Sequence, residues 1–157
     1  MSRKTNIESL GVKGFFRLQI VDKATKKIMG DSGYLENQIT NYGLESCIVA
    51  LPFKCANSIQ CSGILLGSGT GVASDGTNLQ NSLESYWSAF AQSTVSDSLT
   101  ARATVSFDGT RGAATLQEIG VKAVSTDTVI AAKSFASSAI TTDQDVNCTY
   151  ELRYSTS

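Results

Sequence analysis

Hydrophobic and polar residues alternate with period two through much of this chain. In the stretch from Gly14 to Asp22, Phe16, Leu18 and Ile20 fall on one face and Arg17 and Gln19 on the other, which predicts a half-buried strand. A polar turn over Asp22–Lys27 follows. Ile28 and Met29 then resume an apolar run that Gly30, Asp31, Ser32 and Gly33 break before Tyr34 and Leu35, so a hairpin is expected. Ile59 to Leu66 reads as a strand buried late in its run. Leu99, Ala101, Ala103, Val105 and Phe107 alternate with Thr100, Arg102, Thr104 and Ser106. Asp108-Gly109 then marks a turn into a return strand from Ala114 to Val124. A turn at Ser125-Thr126-Asp127 precedes a strand from Val129 to Phe135. Last, Val146, Cys148, Tyr150, Leu152 and Tyr154 alternate with Asn147, Thr149, Glu151 and Arg153.

One segment carries a helical period instead. Leu44, Cys47, Ile48 and Leu51 form an apolar stripe, Thr40 or Asn41 can cap its start, and Pro52 stops it. This predicts a helix over about residues 42–51, docked on a sheet. The segment 79–93 fits both periods: Leu79, Leu83, Tyr86, Trp87 and Phe90 have helical spacing, yet Tyr86 to Phe90 also reads as an aromatic strand. Strands separated by short turn signals, without a βαβ rhythm, predict a mainly β fold. The expected architecture is an antiparallel β-sandwich or jelly-roll-like barrel with one short docked helix. No repeat or linker divides the chain, so a single domain over 11–157 is expected behind a flexible N-terminal arm, residues 1–10.

Composition adds a lean towards protein-facing surfaces. Charged residues make up 17% of the chain, below the usual quarter, and Ser, Thr, Gly and Ala fill the difference. A net charge of −1 provides no broad field for nucleic acid or for an anionic membrane. Positive charge is concentrated early, at Arg3, Lys4, Lys13, Arg17, Lys23, Lys26 and Lys27, which reads first as a solvated end plus a lysine-rich turn and second as a short basic arm for an acidic partner. The polar start Met1–Thr5 has no apolar run behind it, and no segment has the length of a membrane span. A chain made and kept in a cytosol, with reduced cysteines, is therefore expected. Cys47, Cys55, Cys61 and Cys148 match no zinc spacing, and there is no His to complete a site.

The stretch Ile64 to Gly71 has the outline of a phosphate loop, a short apolar strand running into glycines. A Walker loop would need Lys and Ser/Thr after the second conserved glycine, because these hold phosphate and magnesium. Here Val72 and Ala73 follow Gly71, and a turn-rich stretch stands where a dinucleotide fold would have a helix. The glycines are then read as backbone devices that permit positive φ. Without His the usual general base and the Ser-His and Cys-His pairs are missing. Asp143 and Asp145 read as a solvated turn, and Asp75 sits in the glycine-rich loop with Asn78. Glu118 stands mid-strand between apolar neighbours. It is either a buried carboxylate held by a lysine or by backbone amides, or the outward residue of an alternating strand.

Three segments carry a resemblance. Asn37 to Leu44 is similar to an N-x-I/V-T-N-x-G-L opening into a short helix. Leu65 to Thr70, followed by Ser74, Thr77 and Leu79, resembles a glycine-turn motif, and Leu116 to Val121 resembles an E-I-G strand. In this order, over roughly residues 14–154, they resemble small tailed-bacteriophage virion proteins of the head decoration, cement, head-fibre or tail-fibre type. The chain departs from that pattern at Val72-Ala73, where proline is frequent, and in its four cysteines.

The resemblance implies a non-enzymatic structural protein of the virion, assembled in the bacterial cytoplasm. The leading expectation is a capsid decoration or cement subunit, a homo-oligomer that stabilises the shell by bridging major capsid proteins. It would have no catalytic residue, cofactor or metal. Its partner contacts are expected at Arg3, Lys4, Gly67, Ser68, Gly69, Asp75, Asp108 and Arg111. A tail-fibre or baseplate component is the alternative within that class. A carbohydrate-binding module, using exposed aromatics and Asp75 or Asp143 with calcium, is the alternative outside it.

Overall fold

The computed structural model describes residues 10–44, 61–70, 78–89, 91–94, 99–123 and 128–156. Two antiparallel sheets face each other. The first contains β1 (Leu10–Asp22), β2 (Ile28–Asp31), β3 (Leu35–Glu36), β7 (Ala91–Thr94), β8 (Thr100–Phe107) and β11 (Gln144–Thr156). Its order is β2-β1-β11-β8-β7, with β3 also beside β1. The second contains β4 (Gln38–Ile39), β5 (Cys61–Gly67), β6 (Ser82–Ala89), β9 (Ala114–Ala123) and β10 (Val129–Ile140), in the order β4-β10-β9-β5-β6. The fold is thus a β-sandwich with open edges, and not a closed barrel.

Register turns the alternation into a core. Phe16 lies opposite Tyr150, which lies opposite Ala103; Leu18, Cys148 and Val105 form the next row, and Ile20, Val146 and Phe107 the third. Ile64, Leu66, Ile119, Val121, Ile130 and Tyr86 meet these rows from the second sheet. Phe16 packs on Tyr150 with ring centroids 4.8 Å apart, and Tyr86 on Phe107 at 5.7 Å. Each large apolar side chain buried in this way stabilises the fold by about 1.5–3 kcal/mol. Cys148 sits among them, and burial pushes its thiol far above the ordinary range, away from the reactive thiolate.

The second sheet is covered on its outer face too. Leu79 folds back from the β5–β6 connection to join Leu65, Val129 and Ala132 in a separate small cluster. Burial on both faces explains why β9 reads as a nearly continuous apolar run from Ile119 to Ala123 and not as an alternating one.

The segment with two readings resolves as strand. Tyr86 is buried and Trp87 exposed, and β6 pairs with β5 through Leu65 and Trp87. Its helical spacing was incidental: β6 lies in the second sheet as far as Ala89 and β7 in the first from Ala91, with Phe90 outside the described residues. The helix is described only as one turn, α1 (Asn41–Gly43), capped by Thr40; residues 45–51 lie outside the described residues. So do residues 1–9, while Leu10 of the expected arm already pairs with Thr156. Among the described residues no helix is long and apolar enough to cross a membrane.

Candidate functional site

Glu118 organises the glycine-rich turn. Glu118 lies on β9 directly opposite Gly67 of β5, and its side chain is fully buried. Its Oε1 accepts from the backbone N–H of Asn81 at 2.7 Å and of Gly69 at 3.1 Å, and its Oε2 from that of Gln80 at 3.1 Å. Of the readings left open for this residue, a buried carboxylate held by backbone amides is the one that forms. The two ends of the β5–β6 connection are joined further by Ser68 N–H to Asn81 O (2.9 Å), Asn81 Nδ2 to Ser68 Oγ (2.6 Å) and Thr70 N–H to Gln80 Oε1 (2.8 Å).

Gly67 and Gly69 do not have positive φ, and among the described glycines only Gly33 and Gly112 do; Gly71 lies outside the described residues. The expectation of conformational permissiveness is therefore corrected to one of close approach. A Cβ at Gly67 would overlap Glu118 Oε1, and one at Gly69 would lie 2.7 Å from both Glu118 Oε1 and Gln80 Cβ. Gly67 and Gly69 are buried, so of these two and Ser68 only Ser68 reaches the surface.

The other resemblance segment builds onto the same sheet. The Thr40 hydroxyl donates to Val129 O at 2.9 Å and accepts from Gly43 N–H at 3.1 Å, and Thr40 N–H reaches Ile130 O. Gly43 lies so close to Ile130 O that a Cβ would overlap it. All three segments thus meet on one sheet through hydrogen bonds and glycine contacts.

Asp108 caps the 3-10 turn Gly109–Arg111, accepting from Thr110 N–H at 2.8 Å, and pairs with Lys23 at 2.7 Å. The Lys23 ammonium and the Thr110 N–H hold its carboxyl down at about 2. Arg111 reaches the backbone carbonyls of Ser85 and Trp87 on β6 and lies 5.1 Å over the Phe107 ring. It therefore occupies carbonyls along β6, one of the two outermost strands of the second sheet. Arg3, Lys4 and Asp75 lie outside the described residues. Among the described residues no group of three or more His, Cys, Asp or Glu side chains is placed to hold a metal ion.

Sequence reasoning missed a network on the outer face of the first sheet. Glu151 is 2% exposed. Its Oε1 accepts from Arg102 Nε at 2.7 Å and Tyr34 Oη at 3.0 Å, and its Oε2 from Arg153 Nε at 2.9 Å and Nη2 at 2.7 Å. Arg153 stacks over Phe15 at 4.1 Å and Tyr34 at 4.9 Å. Arg17 lies 5.5 Å over Tyr34 and makes two bonds to Asp31.

Burial works against ionisation of Glu151, but the bonds from Arg153, Arg102 and Tyr34 outweigh it and hold the carboxyl below its ordinary value. Its contribution to stability is therefore complete above the unfolded value of about 4.3 and lost as pH falls through the lower folded value. Glu151→Gln should lose about 1–2 kcal/mol at neutral pH. It should also show a smaller drop than wild type between pH 7 and pH 3, checked by urea unfolding at both values. Parallel losses in the two proteins would contradict the network. No family model, curated protein or solved structure matches the chain.

Proposed function

We propose that this chain is a non-enzymatic structural subunit of a bacteriophage virion, of the capsid decoration or cement type. In this reading it self-associates and binds major capsid protein through its sheet edges. One observation carries it. Of the two outer strands of the second sheet, β6 is occupied by Arg111, whereas β2, one of the two outer strands of the first, displays Ile28 at 52% and Met29 at 58% exposure. An edge strand with exposed apolar side chains and free backbone groups is a template for another chain. Many such weak contacts repeated over a shell gain avidity.

The frame of the second sheet supports the same reading. The three segments that resemble virion proteins supply its buried bonds and close glycine contacts, and leave β2 to make contacts outside the subunit. Quantitative mass spectrometry of purified particles tests the proposal. The chain should accompany the particle at a stoichiometry comparable to that of the shell protein. A small fraction of that amount would point to a tail component. Absence from particles, together with chelator-sensitive binding to a glycan array, would replace the proposal with a carbohydrate-binding module.

A further inference from the structure

The side of the sandwich bounded by β2, β3 and β10 opens into a cleft of about 400 Å3, walled by Leu18, Ile20, Leu35 and Phe135 with Lys133 among them. Two irregularities border it. The edge of the first sheet breaks between β2 and β3, where Ser32 bonds to both backbone groups of Leu18 and Gly33 turns the chain with φ of 63°. Across from it β10 bulges: Ser134 pairs with Glu118 and Ser138 with Leu116, so Phe135, Ala136 and Ser137 stand against Gln117 alone. On its other side β10 is paired with β4 only at Ala131 and Ala132.

Lys133 is the lysine on the cleft wall. It lines the cleft, is half-buried, and has no hydrogen-bond or ion-pair partner among the described residues. Asp31 also lines the cleft, but its carboxylate already accepts from Arg17 and Gln19.

We infer that this cleft binds an extended segment of a partner protein, which lays apolar side chains between the sheets and sets a carboxylate on Lys133. The free rims of β2 and β10 supply backbone groups for an added strand, and the apolar walls receive alternate side chains. A half-buried lysine on the cleft wall disfavours an ordinary apolar strand, because covering its ammonium without a counter-charge is costly. The same ammonium admits a strand that carries a carboxylate at the matching position, so one residue both excludes and selects. The inference rests on the assembly reading in taking the ligand to be a protein chain.

Selection of a displayed random-peptide library on the full chain tests it. Wild type should enrich peptides with alternating apolar residues and an acidic residue on the apolar face. Lys133→Glu should reverse the preference to basic peptides and weaken the wild-type selection's best peptide by about tenfold or more. Lys133→Met, which keeps the apolar stem, should retain apolar alternation and lose the acidic residue. No enrichment, enrichment without an acidic position, or preferences indifferent to both substitutions would overturn the inference. So would a wild-type dimer that buries this side and excludes every peptide, since the occupant would then be a second copy. If wild type selects acidic peptides yet never accompanies particles, the virion reading fails while the cleft stands. If Lys133→Glu loads particles normally and selects unchanged peptides, the cleft fails alone.

Discussion

Glu118→Ala should destabilise the protein by about 3–5 kcal/mol, the largest single effect expected in the β5–β6 region. The substitution leaves the N–H groups of Gly69, Gln80 and Asn81 without their acceptor. A buried donor stripped of its partner costs about 1–3 kcal/mol; the Gly69 donor is buried and those of Gln80 and Asn81 are part-buried, so the sum stays below the full total. At this chain length, about 2–4 °C of melting temperature is lost per kcal/mol. Glu118→Gln should cost less, about 2–3 kcal/mol, because its amide oxygen can still accept while its NH2 would face another donor. Amide exchange separates this account from a general loss of packing. Gly69, Gln80 and Asn81 should lose protection first, before the amides of β1 and β11. Wild-type stability in both variants, within about 0.5 kcal/mol as at an ordinary surface position, would contradict the role given to Glu118.

Gly67→Ala should cost about 2–3 kcal/mol, in the range of overpacking a well-filled site. A Cβ there would overlap Glu118 Oε1 and lie 2.6 Å from Asn81 O. The carboxylate side chain can swing, but the Asn81 carbonyl is fixed by the Ser68 N–H bond. In the Glu118→Ala background the same substitution should therefore cost less but remain unfavourable. The double-mutant cycle measures this shared part as a coupling energy. If the two losses simply add, Gly67 is not glycine for the sake of Glu118.

Much of the sandwich was legible in the sequence, because period two exposes the inward set wherever one face is solvated. Phe16, Leu18, Ile20, Val105, Phe107, Val146 and Cys148 could be assigned to the core on that ground alone. β9 hid its geometry because both of its faces are covered, so an outward Glu118 and a buried one gave the same string. Its acceptor role depends on amides at 69, 80 and 81, which any residue type could have supplied. The glycines misled for a related reason: room for a close neighbour and freedom at positive φ select the same residue. Glu151, Arg102, Arg153 and Tyr34 come from β11, β8 and the β2–β3 break, so only the pairing register reveals that they meet. The break itself was visible in Ser32 and Gly33. The bulge of β10 opposite Gln117, which borders the cleft, was not, since nothing in Ser134 to Ser138 marks unequal strand lengths.

A symmetry-averaged cryo-microscopy reconstruction of the intact particle tests the central claim most directly. The account predicts a β-sandwich of this topology at repeated positions on the outer shell, with β2 and the cleft turned towards a neighbouring chain. A shell fully accounted for by other proteins, with no such density at any repeated position, would contradict it.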